Sequence, residues 1–310
     1  MTDEALVRAA TETIAKGSKS FAAASRLFDR TTRESAVMLY AWCRHCDDVV
    51  DEQELGRPGA GNAELSPAAR VEMLEAQTRS ALAGEKQSEP AFAALQEAAR
   101  RHSIPARYPL QHLSGFRMDL EERRYETIGD TLDYAYHVAG VVGVMMAHIM
   151  GARDPSVLDR ASDLGIAFQL TNIARDIVED AAIGRCYLPS AWLDEAGIPP
   201  GDVAAPRNRA ALASVASRLL DLAEPYYASA AIGIAALPPR SAWAIATALG
   251  IYRQIGIEVR GRGAQAWDER VSTSTLQKLG HVARGGGTAL LTRLARPRAM
   301  ARSDLYERPA

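Results

Sequence analysis

A chain of 310 residues, 47% of them hydrophobic, has enough apolar material for one large domain or two. Its net charge of −2 excludes a global attraction to nucleic acid. Three cysteines, an odd number, and no apolar leader fit a reducing cytoplasm and not a disulfide framework.

The periodicity is helical nearly everywhere, with abundant Ala and no alternating β-branched runs. It predicts helices near 3–16, 32–53, 67–83, 89–102, 106–122, 130–150, 155–181, 208–233, 240–260 and 274–294. The breaks carry Gly and Pro: Gly56 to Pro67, Pro105, Gly129, Asp154-Pro155, Pro199-Pro200-Gly201, Pro206 and Pro238-Pro239. The loop over 56–67 reads as mobile. The longest apolar run, Val138 to Met150, is interrupted by His148 and is too short to span a bilayer. The expectation is a single domain over 1–295 and a basic, flexible tail over 296–310. Arg296, Arg298, Arg302 and Arg308 give that tail two readings, solvated or in contact with anionic lipid.

In chain order, Ser18, Lys19 and Ser20 form a polar loop before Phe21. Next comes YAWCRHCDDVVD, where helical spacing puts Tyr40, Arg44, Asp47, Asp48 and Asp51 on one face. Cys43 and Cys46 fall mid-helix, on the side assigned away from the acids, and read as small hydrophobes. A redox pair would sit at a helix start. Tyr134, Val138, Ala139, Val142 and Gly143 recur at helical spacing, as core packing or as the wall of a cavity. The small residues there, Gly140 included, would leave room for an apolar ligand.

The richest stretch is GIAFQLTNIARDIVEDAAIGRCYLP, Gly165 to Pro189. At about 100° per residue, Gln169, Asn172, Asp176 and Asp180 form one stripe on an otherwise apolar helix. Carboxylates one turn apart in a buried setting repel each other and lose hydration, so a divalent cation is the natural reason for them. The plain alternative is a solvated acidic face, and a second acidic stripe at Asp47, Asp48 and Asp51 argues against it. Two such stripes facing across a bundle suit Mg²⁺ bridging to a diphosphate. Arg44, Arg175 and Arg185 are placed to cage phosphate oxygens. Gly184 ends the helix, and Tyr187 follows before Pro189.

These stretches resemble the squalene and phytoene synthase family. Its long run is met by Leu164, Gly165, Gln169, Asn172, Ile173, Arg175, Asp176, Ile177, Asp180, Arg185, Tyr187 and Pro189, without a departure. Its second run is met by Tyr134, Val138, Ala139 and Gly140, and its early S-x-S-F by Ser18, Ser20 and Phe21. The landmarks spread from residue 18 to about 252, and the wording is most like bacterial, phytoene-making members. The resemblance implies a single all-α domain of the isoprenoid-synthase type around a central cavity. It implies Mg²⁺ or Mn²⁺, no nicotinamide cofactor, and condensation of two geranylgeranyl diphosphates through a cyclopropyl diphosphate. The metal ligands would be Asp47, Asp48, Asp51, Asn172, Asp176 and Asp180, with Tyr134 beside them. Ser18, Ser20, Phe21, Tyr40, Arg44, Val138, Ala139, Gly143, Gln169, Arg175, Arg185, Tyr187 and Tyr252 would bind substrate. The rival is a squalene or dehydrosqualene synthase using farnesyl diphosphate, and a remoter one is a non-catalytic scaffold, which intact acidic stripes disfavour. Gly261-Arg262-Gly263-Ala264-Gln265-Ala266 fits the loose dinucleotide pattern, but a predicted helix precedes it where a strand is required. A cytoplasmic enzyme, in contact with the inner membrane surface at most, is the expectation.

Overall fold

The computed structural model describes residues 3–17, 22, 24–51, 53–54, 57–58, 65–120, 124–294 and 301–309. Ser18, Ser20 and Phe21 lie outside them. The helices are α1 Asp3–Gly17, α2 Arg30–Val50, α3 Pro67–Leu82, α4 Pro90–His102 and α5 Arg107–Leu120. Then come α6 Ile128–Ala135, α7 Val141–Ile149, α8 Pro155–Ala182, α9 Ser190–Glu195, α10 Arg209–Gly233, α11 Pro239–Arg262 and α12 Thr275–Leu294. The only pairing of strands among the described residues is a two-residue hairpin, Gln53–Glu54 with Arg57–Pro58. It begins inside the range read as helix 32–53, because α2 stops at Val50.

Local chemistry starts the long helices. The Asp29 carboxylate accepts from Thr32 N at 3.0 Å and Thr32 Oγ1 at 2.7 Å, capping α2. Asp154 accepts from Ser156 N at 2.8 Å and Pro155 opens α8 with its fixed φ. At 28 residues, α8 is the longest element, about 42 Å at 1.5 Å per residue, and its Leu158, Ile166, Leu170, Ile173 and Ile177 are buried. It is the axis on which α7, α10 and α11 pack. On the opposite flank, Leu6, Ala10 and Ile14 of α1 form a second apolar cluster with Val37, Met38 and Ala94.

The single helix expected over 130–150 is divided. Tyr136–Gly140 forms one π-turn between α6 and α7. The backbone of this segment touches that of α8. A Cβ on Gly165 would lie 2.2 Å from Ala139 O, and one on Gly143 would lie 2.2 Å from Ala161 O. The glycine therefore serves helix contact as well as the cavity wall. Thr131 of α6 donates to Tyr187 O at 2.8 Å and is fully buried, which ties the chain after α8 to this segment. Thr131→Val keeps the shape and leaves that carbonyl unpaired, so it is expected to cost about 1–3 kcal/mol in denaturant unfolding.

The tail departs from expectation over 301–309. Arg302 grips both oxygens of buried Asp163, at 2.8 and 2.7 Å, and Arg308 holds Asp159 at 2.6 Å. Tyr306 donates to Asp133 at 2.7 Å, and Leu305 is buried. The two arginines read as solvated or lipid-facing instead meet carboxylates of α8. Among the described residues, no helix is long and apolar enough to cross a membrane.

Candidate active site

A cavity of about 520 Å³ lies between α2, α5, the α6–α7 segment, α8 and α11. Most of its wall is apolar, including Leu39, Phe116, Val142, Met146, Leu164, Phe168 and Ile251. One end is polar: Arg44, Asp47, Asp51, Asp119, Gln169, Asn172 and Arg185. Tyr40, Tyr134, Val138, Ala139, Gly143 and Tyr252 also line it, so most of the residues singled out in the sequence converge there. Tyr252 stacks on Phe168 with centroids 4.0 Å apart.

The acids at the polar end are partly paired. Arg44 bonds Asp47 at 2.9 Å and Asp48 at 2.6 Å. Gly184 takes a φ of +80°, which only glycine adopts cheaply, and Arg185 N then returns to Asp180 O at 2.9 Å. That turn sends the Arg185 guanidinium across to α2, where it meets Asp51 at 2.6 Å. Burial opposes the charge on Arg185, but the bond to Asp51 and neighbouring Asp119 carry its pKa well above the ordinary value.

The stripes face each other through Asp119, which the sequence reading missed. Tyr134 donates to it at 3.3 Å, and Tyr134 stacks on Tyr187 at 4.4 Å. Burial pushes Asp119 up to about 6, against the pull of Arg185. Burial likewise lifts Asp47 to about 6, opposed by Arg44 and reinforced by Asp51. Asp180 goes up to about 7, through burial first and Asp176 second. Burial raises Tyr134 and Tyr187 too, so both stay protonated and act as donors. Asp119 had one signal. His112, Phe116 and Asp119 share the i, i+4, i+7 face of α5, which puts an acid in an otherwise buried stripe.

Three placements differ from expectation. Asp48 does not line the cavity; it lines a separate pocket with His45 and Glu89. Cys43 lies on the cavity wall four residues before Asp47 and not opposite the acids, while Cys46 is in the core. Asp176 is held by Arg175 at 2.8 Å and by Arg270, also missed, at 3.1 Å; neither it nor Asp180, Arg175 or Tyr187 lines the cavity itself.

The donor set fits a hard divalent cation. It is all oxygen, three of its carboxyls are raised by burial first and neighbouring carboxylates second, and Asn172 Oδ1 is buried with no hydrogen-bond partner among the described residues. No three acids among the described residues gather closely enough to hold an ion alone. Phosphate oxygens and water would therefore complete the shell, as Mg²⁺ favours.

An all-helical bundle around an apolar cavity, with acids at one end, is the isoprenoid-synthase class of fold. Among solved structures, a dehydrosqualene synthase bound to a ligand superimposes with a TM-score of 0.82 at 26% identity, over 92% of this chain and 96% of that one. A squalene synthase from Alicyclobacillus acidocaldarius shares the fold, with a TM-score of 0.73 at 24% identity over 84% and 95%. The squalene/phytoene synthase family model matches residues 14–277, and the chain belongs to that family. It is 55% identical to a 15-cis-phytoene synthase from Pantoea ananas over 309 residues, all of both chains. It is 57% identical to one from Enterobacter agglomerans over 295 residues, 94% of this chain and 99% of the other. The chain is accordingly an enzyme of the prenyltransferase type, acting on prenyl diphosphates.

Proposed function

We propose that the chain is a 15-cis-phytoene synthase, condensing two geranylgeranyl diphosphates head to head with Mg²⁺ or Mn²⁺ and releasing two diphosphates. The observation that carries this is one apolar cavity opening onto Asp47, Asp51, Asp119, Asn172 and Arg185 at a single end. Full-length relatives at 53–57% identity, named as phytoene synthases, favour the longer substrate over farnesyl diphosphate.

Asp47, Asp51, Asp119, Asn172, Asp176 and Asp180 would hold the metal, with Asp48 on the far side of Arg44. Bound there, it would neutralise diphosphate oxygens and make them a better leaving group. Arg44 and Arg185 exchange carboxylates for phosphate oxygens as substrate enters. Ser18 and Ser20 are assigned to the same diphosphates, and Phe21 to the prenyl chain. One substrate ionises to an allylic cation, and the C2=C3 double bond of the other attacks it. Loss of a proton leaves a cyclopropylcarbinyl diphosphate. A second ionisation, rearrangement and proton loss give the central double bond, with no hydride added. Tyr134 and Tyr187 orient Asp119 by donation. The wall formed by Val138, Ala139, Val142 and Phe168 keeps water from the cations.

The test is a product assay. Purified protein is incubated with Mg²⁺ and either geranylgeranyl or farnesyl diphosphate, with and without NADPH, and hydrocarbons are identified by mass. A C40 product indifferent to NADPH is expected. A C30 product would transfer the assignment to dehydrosqualene or squalene synthesis, and no product from folded protein would favour a scaffold.

A further inference from the structure

We propose that Arg160, anchored by Ser229 and by the segment 301–309, is the floor of the prenyl tunnel and sets the longest chain it accepts. This rests on the assignment above, with a prenyl tail in the cavity and its head at the acidic end.

The wall contributed by α8 includes Arg160, Leu164, Phe168 and Asn172, one turn apart. Arg160 and Asn172 are twelve residues apart, about 18 Å along the helix. Each isoprene unit adds four carbon–carbon bonds, about 5 Å when extended. A C20 tail is then about 20 Å long and a C15 tail about 15 Å, on the same bond lengths. The difference is close to one helical turn, about 5.4 Å. Arg160 stands where a fourth isoprene unit ends.

Its position is fixed. Arg160 Nη1 donates to Ser229 O at 3.2 Å and to Ser229 Oγ at 3.1 Å. Buried Ser229 donates to Asp163 at 2.5 Å, and Asp163 is the carboxylate gripped by Arg302. Arg308 holds Asp159, the residue before Arg160. Gly233 admits the stem of the arginine, since a Cβ there would lie 2.9 Å from Arg160 Cβ. A fifth isoprene unit would have to displace a hydrogen-bonded guanidinium and bury methyl groups against its charge. Ala161 and Gly233, both small, line the cavity beside Arg160, so truncating it opens space there. Arg160 would touch the substrate tail; Ser229, Asp163 and Arg302 are positioning residues.

The experiment gives the full chain equal geranylgeranyl and geranylfarnesyl diphosphate with Mg²⁺ and compares kcat/KM for the C20 and C25 substrates from the products. Arg160→Ala is expected to raise the C25-to-C20 ratio about tenfold or more. Arg160→Lys should restore most of the original ratio, and Ser229→Ala should fall between. An unchanged ratio in an Arg160→Ala protein that still turns over overturns the proposal. If that variant does not fold, Ser229→Ala decides, and an unchanged ratio there overturns it equally. Should the unaltered protein make only C30 product from farnesyl diphosphate, the phytoene assignment fails. The floor then stands or falls on whether Arg160→Ala raises the C20-to-C15 ratio.

Discussion

Asp180→Asn is expected to lower turnover by about 10²–10³-fold, and the same variant is expected to resist unfolding better at pH 8. Among the described residues the Asp180 side chain has no hydrogen-bond or ion-pair partner, while burial and Asp176 raise it to about 7. The folded chain thus binds this proton more tightly than the unfolded chain, whose carboxyl titrates near 3.8. Below about pH 4 both states are protonated and the group is neutral to stability. As pH rises toward 7, the unfolded state ionises first and stability is lost; above 7 the loss is complete, of the order of a few kcal/mol at about 1.4 kcal/mol per unit. Asparagine keeps the shape and removes the charge. Denaturation of chelator-treated protein should show the variant ahead at pH 8, with its lead closing only as pH falls to about 4. The difference between the proteins is the readout, because His112 and His148, lowered by burial to about 4, move the overall profile the other way. They lose stability as pH falls below 6.5. Equal stabilities at both pH values, or retained turnover with Mg²⁺, would refute the role of Asp180.

Gly165→Ala is expected to destabilise the fold by about 3 kcal/mol or more, the upper end for overpacking. Its Cβ would meet Ala139 O at 2.2 Å, Ala139 C at 2.6 Å and Gly140 Cα at 2.7 Å, all backbone. A flexible side chain could turn aside, but here α8 must separate from the π-turn. Gly143→Ala meets the same obstacle from the other helix. Gly201→Ala is the control, since its Cβ would have nothing within 4 Å. The apparent melting midpoint should fall by roughly 6 °C or more for Gly165→Ala and hardly move for the control. Equal midpoints would contradict the contact.

The acidic stripes were legible because carboxyls one turn apart on apolar helices carry an electrostatic cost, and two of them point to a shared purpose. The helix breaks at Pro155 and Gly184 were legible from backbone chemistry alone. Asp119 offered only its place in the stripe with His112 and Phe116, because what qualifies it is tertiary: Tyr134, Arg185 and Asp51 arrive from three other elements. The face of Asp48 depended on which helix packs beside α2, whereas that of Cys43 was legible, since a four-residue spacing puts it with Asp47. The tail looked solvated by composition. Asp159 and Asp163 of α8, remote in sequence, are what engage its arginines.

The meeting of α8 with the π-turn and α7 also partitions the cavity by its freedom to vary. Where Ala139 faces Gly165 and Ala161 faces Gly143, peptide groups touch with no side chain between them. Natural variation has little to work with at that seam, because the smallest substitution already collides. Elsewhere the lining is side chains, such as Leu39 of α2, Phe116 of α5 and Ile251 of α11. Relatives that diverge toward longer or shorter substrates are therefore expected to differ on those walls and at the floor, while the seam stays glycine.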